Sequence, residues 1–336
     1  MWCGVRPVAE QTAISWCDAT FNPWWGCQHV SDACTFCYAE ALSKRTGFVE
    51  WGPGTERRRT GAVNWGKPLA WNRKAALDGV RRRVFCASMA DFFDNQVPAD
   101  WRRDAWALIR ACDSLEWLIL TKRPQMITRM LPEDWGDGWP HVRLGTTVEN
   151  QEEAERRIPP LLVVPSRLGR FLSVEPMLGP VDLDGIWGYP GSATCEQIDR
   201  WPIGWVICGG ESGPHARPTD PAWVRALHRQ CLNASVPFHL KQWGEFLMAE
   251  EVVTNPVRPP GDEEETAYRY QDGYAEIGWS DHFDIMYGAA ADDRGAPERI
   301  WHEYWSSGTG RMLRRVGVKR AGALLDGVSY REFPRA

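Results

Sequence analysis

An α/β fold built on a parallel sheet is predicted from three features of the sequence. Short apolar runs recur along the chain, amphipathic stretches of helical period lie between them, and polar or glycine residues follow most runs. Taken in order, the candidate strands are Ile14–Cys17, Val84–Met89, Trp117–Lys122, Val142–Val148, Arg170–Glu175, Trp205–Gly209 and Phe238–Lys241. Most are too short to be helices, and Leu161–Val164 reads as a buried strand on the same ground. Between them, Asp100 is placed to cap a helix with Ala105, Leu108, Ile109 and Cys112 on its apolar face. Asp220-Pro221 opens another: Asp220 as N-cap, Pro221 in the first turn, and Val224, Leu227 and Cys231 on one face. This alternation is that of βαβ units, and periodicity alone does not separate an open sheet from a complete or partial barrel.

At 336 residues the chain suits one enlarged α/β domain, and 43% hydrophobic with 25% charged residues excludes disordered, collagenous and coiled-coil classes. Clean apolar stretches such as Leu161–Val164 and Trp117–Leu120 span only four or five residues, so no membrane helix is expected. The first residues carry no basic segment followed by an apolar one, so a cytoplasmic location is expected. Residues 1–248 read as the α/β body with a cysteine-bearing loop at 20–38, residues 249–300 as an acidic loop-rich insertion, and residues 301–336 as a tail packing on the body. Residues 47–73, rich in Gly, Trp and Arg, read as a second departure from the alternation.

Charge follows this division. Residues 250–299 hold thirteen acidic residues against four basic ones, while 44–83 hold eleven basic against three acidic, including Arg57-Arg58-Arg59 and Arg81-Arg82-Arg83. Such a basic stretch suits phosphate contact, and equally a solvated face. The twenty tryptophans offer stacking surfaces for bases, although buried tryptophan usually belongs to the core.

The densest chemical signal is Cys27-Gln28-His29-Val30-Ser31-Asp32-Ala33-Cys34-Thr35-Phe36-Cys37. In a reducing compartment, cysteines so spaced point to metal binding before disulfides. Three thiolates on a four-iron cluster leave one iron open to a further ligand, and S-adenosyl-L-methionine is a chelating ligand for such an iron. The same thiols with His29 or Cys17 make a four-ligand zinc site, and the spacing does not separate the two. Cys3, Cys17, Cys86, Cys112, Cys195, Cys208 and Cys231 read mainly as small buried hydrophobes, with Cys17 and Cys208 near strand ends.

Phe36, directly before the last cysteine, is similar to the Cys-x-aromatic-Cys ending of radical S-adenosylmethionine enzymes, although their first gap is three residues and this one is six. Ile14-Ser15-Trp16-Cys17-Asp18-Ala19-Thr20-Phe21-Asn22-Pro23, Cys34-Thr35-Phe36-Cys37-Tyr38-Ala39-Glu40, Leu118-Ile119-Leu120-Thr121-Lys122-Arg123-Pro124, Phe171-Leu172-Ser173-Val174-Glu175-Pro176, Cys208-Gly209-Gly210-Glu211-Ser212-Gly213 and Lys241-Gln242-Trp243-Gly244 together resemble a phage and prophage family of radical S-adenosylmethionine-like proteins, from about residue 12 to 245 and again at Ala323–Gly327. The resemblance implies a partial (β/α) barrel of the radical SAM type with loop-rich insertions, a 4Fe-4S cluster on Cys27, Cys34 and Cys37, S-adenosyl-L-methionine as cofactor, and a reductant protein such as flavodoxin or ferredoxin. In such a barrel the site forms at the C-terminal strand ends. By position Phe36, Ser88, Asp91, Lys122, Glu149, Asn150, Glu175, Gly209, Gly210 and Glu211 are assigned to the cofactor and substrate, with Asp91 and Asn150 also suited to capping the next helices. No catalytic residue is assigned.

Some members of that family take part in phage thymidine hypermodification, a change that evades restriction. The activity implied is a radical isomerase that moves a glycine from nitrogen to carbon linkage on the thymine methyl carbon, with DNA as partner. Two other classes stay open: a radical enzyme modifying or repairing another nucleic-acid base, and a non-catalytic zinc or iron–sulfur protein that binds nucleic acid.

Overall fold

The computed structural model describes residues 12–184, 203–248, 283–288, 301–306, 311–315 and 317–334. After β1 (Ala19–Phe21) come two short strands, β2 (Trp24–Trp25) and β3 (Arg58–Arg59), paired antiparallel. The body then continues through β4 (Arg82–Cys86), β5 (Leu115–Thr121), β6 (Val142–Thr147), β7 (Arg170–Val174), β8 (Val206–Gly209) and β9 (Phe238–Gln242). Seven of these form one parallel sheet in the order β1-β4-β5-β6-β7-β8-β9, curled into a half-barrel. Parallel neighbours require crossovers. They are supplied by α1 (Tyr38–Thr46) and α2 (Ala62–Asp78) before β4, then α3 (Ala99–Ala111), α4 (Ile127–Met130), α5 (Gln151–Leu162) and, before β9, α6 (Pro221–Asn233).

The period-two alternation of the strands divides the core into two clusters. Val84, Trp117, Leu144, Leu172, Val206 and Phe238 face the helices in one large cluster. Phe85, Leu118, Phe171, Trp205 and Ile207 face the concave side, where Trp16 packs among them. Gly145 makes room there, because a Cβ on it would stand 2.5 Å from the Phe171 ring.

Six of the expected strands match observed ones within three residues at either end; the first does not. Ile14–Cys17 forms no strand, and the edge strand is β1 at 19–21. Those residues are apolar because Trp16 fills the concave face, 4.5 Å from Phe85 between ring centroids. Leu161–Val164 is likewise no strand: Leu161 and Leu162 end α5, and Val163 is 73% exposed. Residues 62–73, expected outside the alternation, belong to α2, with Pro68 inside it, so the irregular segment here is 47–57. Asp100 lies in the first turn of α3, whose N-cap is Pro98, and Asp220 caps α6 by accepting from Ala222 N at 2.7 Å.

Beyond β9, β10 (Phe246–Met248), β11 (Phe283–Gly288), β12 (Trp301–Ser306) and β13 (Arg311–Arg315) form a second sheet, antiparallel, in the order β10-β13-β12-β11. Strand β11 falls within the acidic 249–300 stretch, the rest of which lies outside the described residues, as do Cys3 and Cys195. After the short α7 (Val318–Ala321), a hairpin of β14 (Leu324–Leu325) and β15 (Val328–Ser329) leads the chain back to β9, whose Leu240 N–H donates to Tyr330 O at 2.8 Å. The edge of β9 is thereby covered. No helix among the described residues is long and apolar enough to cross a membrane.

Candidate functional site

The chain leaving β1 is tied over the C-terminal ends of its neighbours before it reaches the cysteines. Asn22 accepts from Met89 N at 2.8 Å and donates to Ser88 Oγ at 3.0 Å, and Gly26 N–H donates to Met89 O at 3.2 Å. Gly26 turns the chain there at φ +105°, and a Cβ on it would stand 3.1 Å from Arg57 Cδ. Cys27 follows at once. A turn of 3-10 helix over Asp32–Cys34 leads to Cys37 at the N-cap of α1, and Cys37 N–H donates to Cys34 O at 3.3 Å.

All three cysteines line one cavity of about 460 Å³ at these strand ends, and none is in a disulfide. Phe36, Ser88, Asp91, Lys122, Glu175, Gly210 and Glu211 line the same cavity. Ten of the thirteen positions assigned from the sequence thus share one space, although consecutive strands contribute them across more than 180 residues.

The remaining three are held elsewhere. Glu149 is fully buried, ion-paired with Arg157 at 3.1 Å, and accepts a hydrogen bond from the Ser31 hydroxyl, which ties the cysteine loop to the end of β6. Asn150 caps α5 by accepting from Glu153 N at 3.0 Å, so the polar residue after that strand serves the helix. Gly209 ends β8 and lies outside the lining, packed beside Glu175, where a Cβ would stand in ordinary contact 3.4 Å from the carboxyl carbon. Gly210, though in the lining, is glycine for the protein's own sake: a Cβ would meet Trp243 O at 2.0 Å.

The carboxylates of the cavity are already engaged. Asp91 accepts from Thr121 Oγ1 at 2.7 Å, Lys122 N at 2.9 Å and Phe93 N at 2.9 Å, and pairs with Arg123 at 3.0 Å. Glu211 pairs with Arg217 at 2.6 Å, and Glu175 with Lys241. Arg123 reaches further, donating to Cys27 Sγ at 3.6 Å and to Gln28 O at 3.2 Å. Burial pushes the Cys27 thiol up to about 11, the Asp91 charge adding to it and Arg123 opposing it. Burial likewise raises the Cys37 thiol.

Sequence reasoning left Arg123, Lys241 and Trp51 without a role, and all three line the cavity. Arg123 and Lys241 both stood in quoted motifs, Arg123 just after β5 and Lys241 within β9, two residues on from His239 on the concave face; these were the available signals. Of the other cysteines, Cys86, Cys112, Cys208 and Cys231 are buried, and Cys208 faces the helices, 3.8 Å from Met177 Sδ. Burial pushes half-buried Cys17 up to about 12, and it packs beside the Trp16 cluster.

As a donor set the three reduced thiols, beside a guanidinium that offsets thiolate charge, fit an iron–sulfur cluster in kind. Among the described residues, however, no three His, Cys, Asp or Glu side chains stand together so that they could hold one metal ion. No curated protein and no solved structure matches the chain. Residues 11–334 match a family described as "Protein of unknown function (DUF5131)", and the chain belongs to that family.

Proposed function

We propose that this member of the DUF5131 family is a radical S-adenosylmethionine enzyme acting on a modified thymine of phage DNA, and that it isomerises nitrogen-linked glycyl-thymidine to the carbon-linked form. The observation that supports the radical reading is that Cys27, Cys34 and Cys37 line one cavity at the C-terminal ends of a curled parallel sheet. The choice of substrate rests on the resemblance of the sequence motifs.

Cys27, Cys34 and Cys37 would hold a 4Fe-4S cluster, and holding it requires the loop from Gly26 to Cys37 to bring its thiols onto one point. With S-adenosyl-L-methionine the cluster supplies a carbon radical able to take hydrogen from an unactivated C–H bond. The protein's own groups prepare that space. Arg123, fixed by Asp91, donates to Cys27 and lowers the electrostatic cost of gathering thiolates. Trp16 and Phe85 close the cavity from below, which keeps water from a reactive radical. Glu175, just after β7, and Lys241, in β9, pair across β8 and present a neutralised polar pair.

The test is an anaerobic turnover with DNA carrying glycyl-thymidine deuterated at the glycine α-carbon. Transfer of deuterium into 5′-deoxyadenosine, with formation of the carbon-linked base, is expected. Cleavage of S-adenosylmethionine without label transfer would remove this substrate while leaving the radical reading, and no cleavage at all would remove both.

A further inference from the structure

Most groups lining the cavity are satisfied by the protein, which directs attention to those that are not. Of its carboxylate, ammonium and guanidinium groups, Lys122 alone makes no ion pair or side-chain hydrogen bond among the described residues: Asp91 with Arg123, Glu175 with Lys241 and Glu211 with Arg217 are matched. Lys122 is half-buried at the end of β5. A cation partly withdrawn from water, with no carboxylate partner among the described residues and only the Cys37 thiol near enough to feel its charge, favours an anionic occupant.

The second uncommitted group is aromatic. Trp51 is half-buried, lines the cavity, and makes neither ring contact nor hydrogen bond among the described residues, while Trp16 packs against Phe85, Phe171 and Trp205. Its loop is fixed. Gly52 N–H donates to Cys27 O at 2.9 Å, and buried Arg57, paired with Asp94 at 2.7 Å, donates to Gly52 O at 3.2 Å and Thr55 O at 2.9 Å. An indole held on a rigid loop with an open face is a stacking surface prepared in advance.

Phe36 is different. Its ring lies 5.5 Å from that of His215, with the Arg217 guanidinium 5.3 Å above it, on the side of the cavity formed after β8. The cysteine loop therefore has an aromatic ring at each end: Phe36 towards Glu211 and Arg217, and Trp51 joined through Gly52 to Cys27. Phe36 is the ring assigned to the cofactor, and Tyr38, which also lines the cavity without a ring contact, is tethered through its hydroxyl to Ser88 O at 2.7 Å, so Trp51 is the lining ring with neither tether nor ring partner among the described residues.

We infer that the substrate couples a planar ring to an anionic arm, the ring stacking on Trp51 and the anion pairing with Lys122. The inference rests on reading the cavity as a base-modifying site and names how that base is held. A glycine carboxylate and a nucleotide phosphate share the required chemistry.

Calorimetric titration of the full chain with three probes separates these. Thymidine carries the ring alone, thymidine 5′-monophosphate adds a phosphate, and the nucleoside with glycine on its thymine methyl carbon adds a carboxylate. At least one anionic probe is expected to bind about tenfold or more tightly than thymidine. Lys122→Met should abolish that advantage, and Trp51→Leu should weaken every probe about tenfold or more, as loss of a base-stacking ring does. The probe that gains affinity identifies the anion. Equal binding of all three probes, or an anion advantage that survives Lys122→Met, overturns the inference. So does a Lys122→Met variant weakened for S-adenosylmethionine alone, or unchanged binding to Trp51→Leu. None of these titrations needs cofactor cleavage, so a chain that binds as expected yet never cleaves S-adenosylmethionine would refute the radical reading and leave this one standing.

Discussion

The concave face of the half-barrel is filled in two ways along the same strands. At its lower end Trp16, Phe85, Leu118, Phe171, Trp205 and Ile207 pack against one another, with Phe333 from the C-terminal tail closing over Trp205 at 5.6 Å between rings. At the upper end, one or two residues further along, the same faces carry Ser173, Lys241 and the polar groups around the thiols. Strand periodicity decides which side a residue faces; its distance along the strand decides whether it packs or meets a ligand. The lower end is packed as a second, smaller apolar core beside the large one under the helices, and the upper end is where matched charges hold an opening.

The sharpest test of that division is Cys34→Ala, which should abolish cluster binding and turnover while circular dichroism and melting temperature stay near those of the parent. Iron content and 5′-deoxyadenosine yield read the loss. The next largest effect belongs to the lower end: Trp16→Ala should destabilise the chain by about 3–5 kcal/mol, the range for truncating a large buried aromatic, as measured by urea unfolding. A destabilisation below ~1 kcal/mol would show that the aromatic plug does not carry the fold.

The same region sets a pH dependence. His239 is buried, with one ring nitrogen bonded to the Ser15 hydroxyl at 2.9 Å. Burial, reinforced by the nearby Arg331 charge, lowers its pKa to about 4. The unfolded chain therefore takes up this proton before the folded one does. The contribution is full above roughly pH 6.5 and is lost as pH falls towards 4, by about 3 kcal/mol in all. Denaturant midpoints across that window should flatten in His239→Gln, and an unchanged slope there would contradict the assignment. The smallest effect separates a cap from a ligand: Asn150→Ala should lower stability by about 1 kcal/mol and leave the affinity for S-adenosylmethionine as it was. Weakened cofactor binding in that variant would return Asn150 to the site.

How much of this was legible in the sequence follows from what each pattern can encode. Trp117–Lys122 and Arg170–Glu175 were readable because strands buried on both faces are continuous apolar runs. Ile14–Cys17 has the same composition for another reason, since Trp16 is a plug and not a paired residue, and composition does not distinguish packing from pairing. Leu161–Val164 misled because a helix that ends against the core is as apolar as a short strand, and α2 was obscured by Gly66 and Pro68. Site residues were found where a strand had just ended. That rule selects position without partner, so it took Asn150, which caps a helix, together with Lys122, which faces the cavity. It passed over Trp51, because nothing in a loop of Gly, Pro and Thr announces which spatial neighbour it will join.

The radical chemistry depends most on the three thiols, and one measurement addresses them directly. The chain is purified anaerobically, its iron, sulfide and zinc are quantified, and it is then reduced with dithionite and assayed for 5′-deoxyadenosine from added S-adenosylmethionine. Roughly four irons per chain and formation of 5′-deoxyadenosine are expected. Stoichiometric zinc with no iron and no cleavage would contradict that chemistry and make the chain a metal-bound, nucleic-acid-binding protein instead.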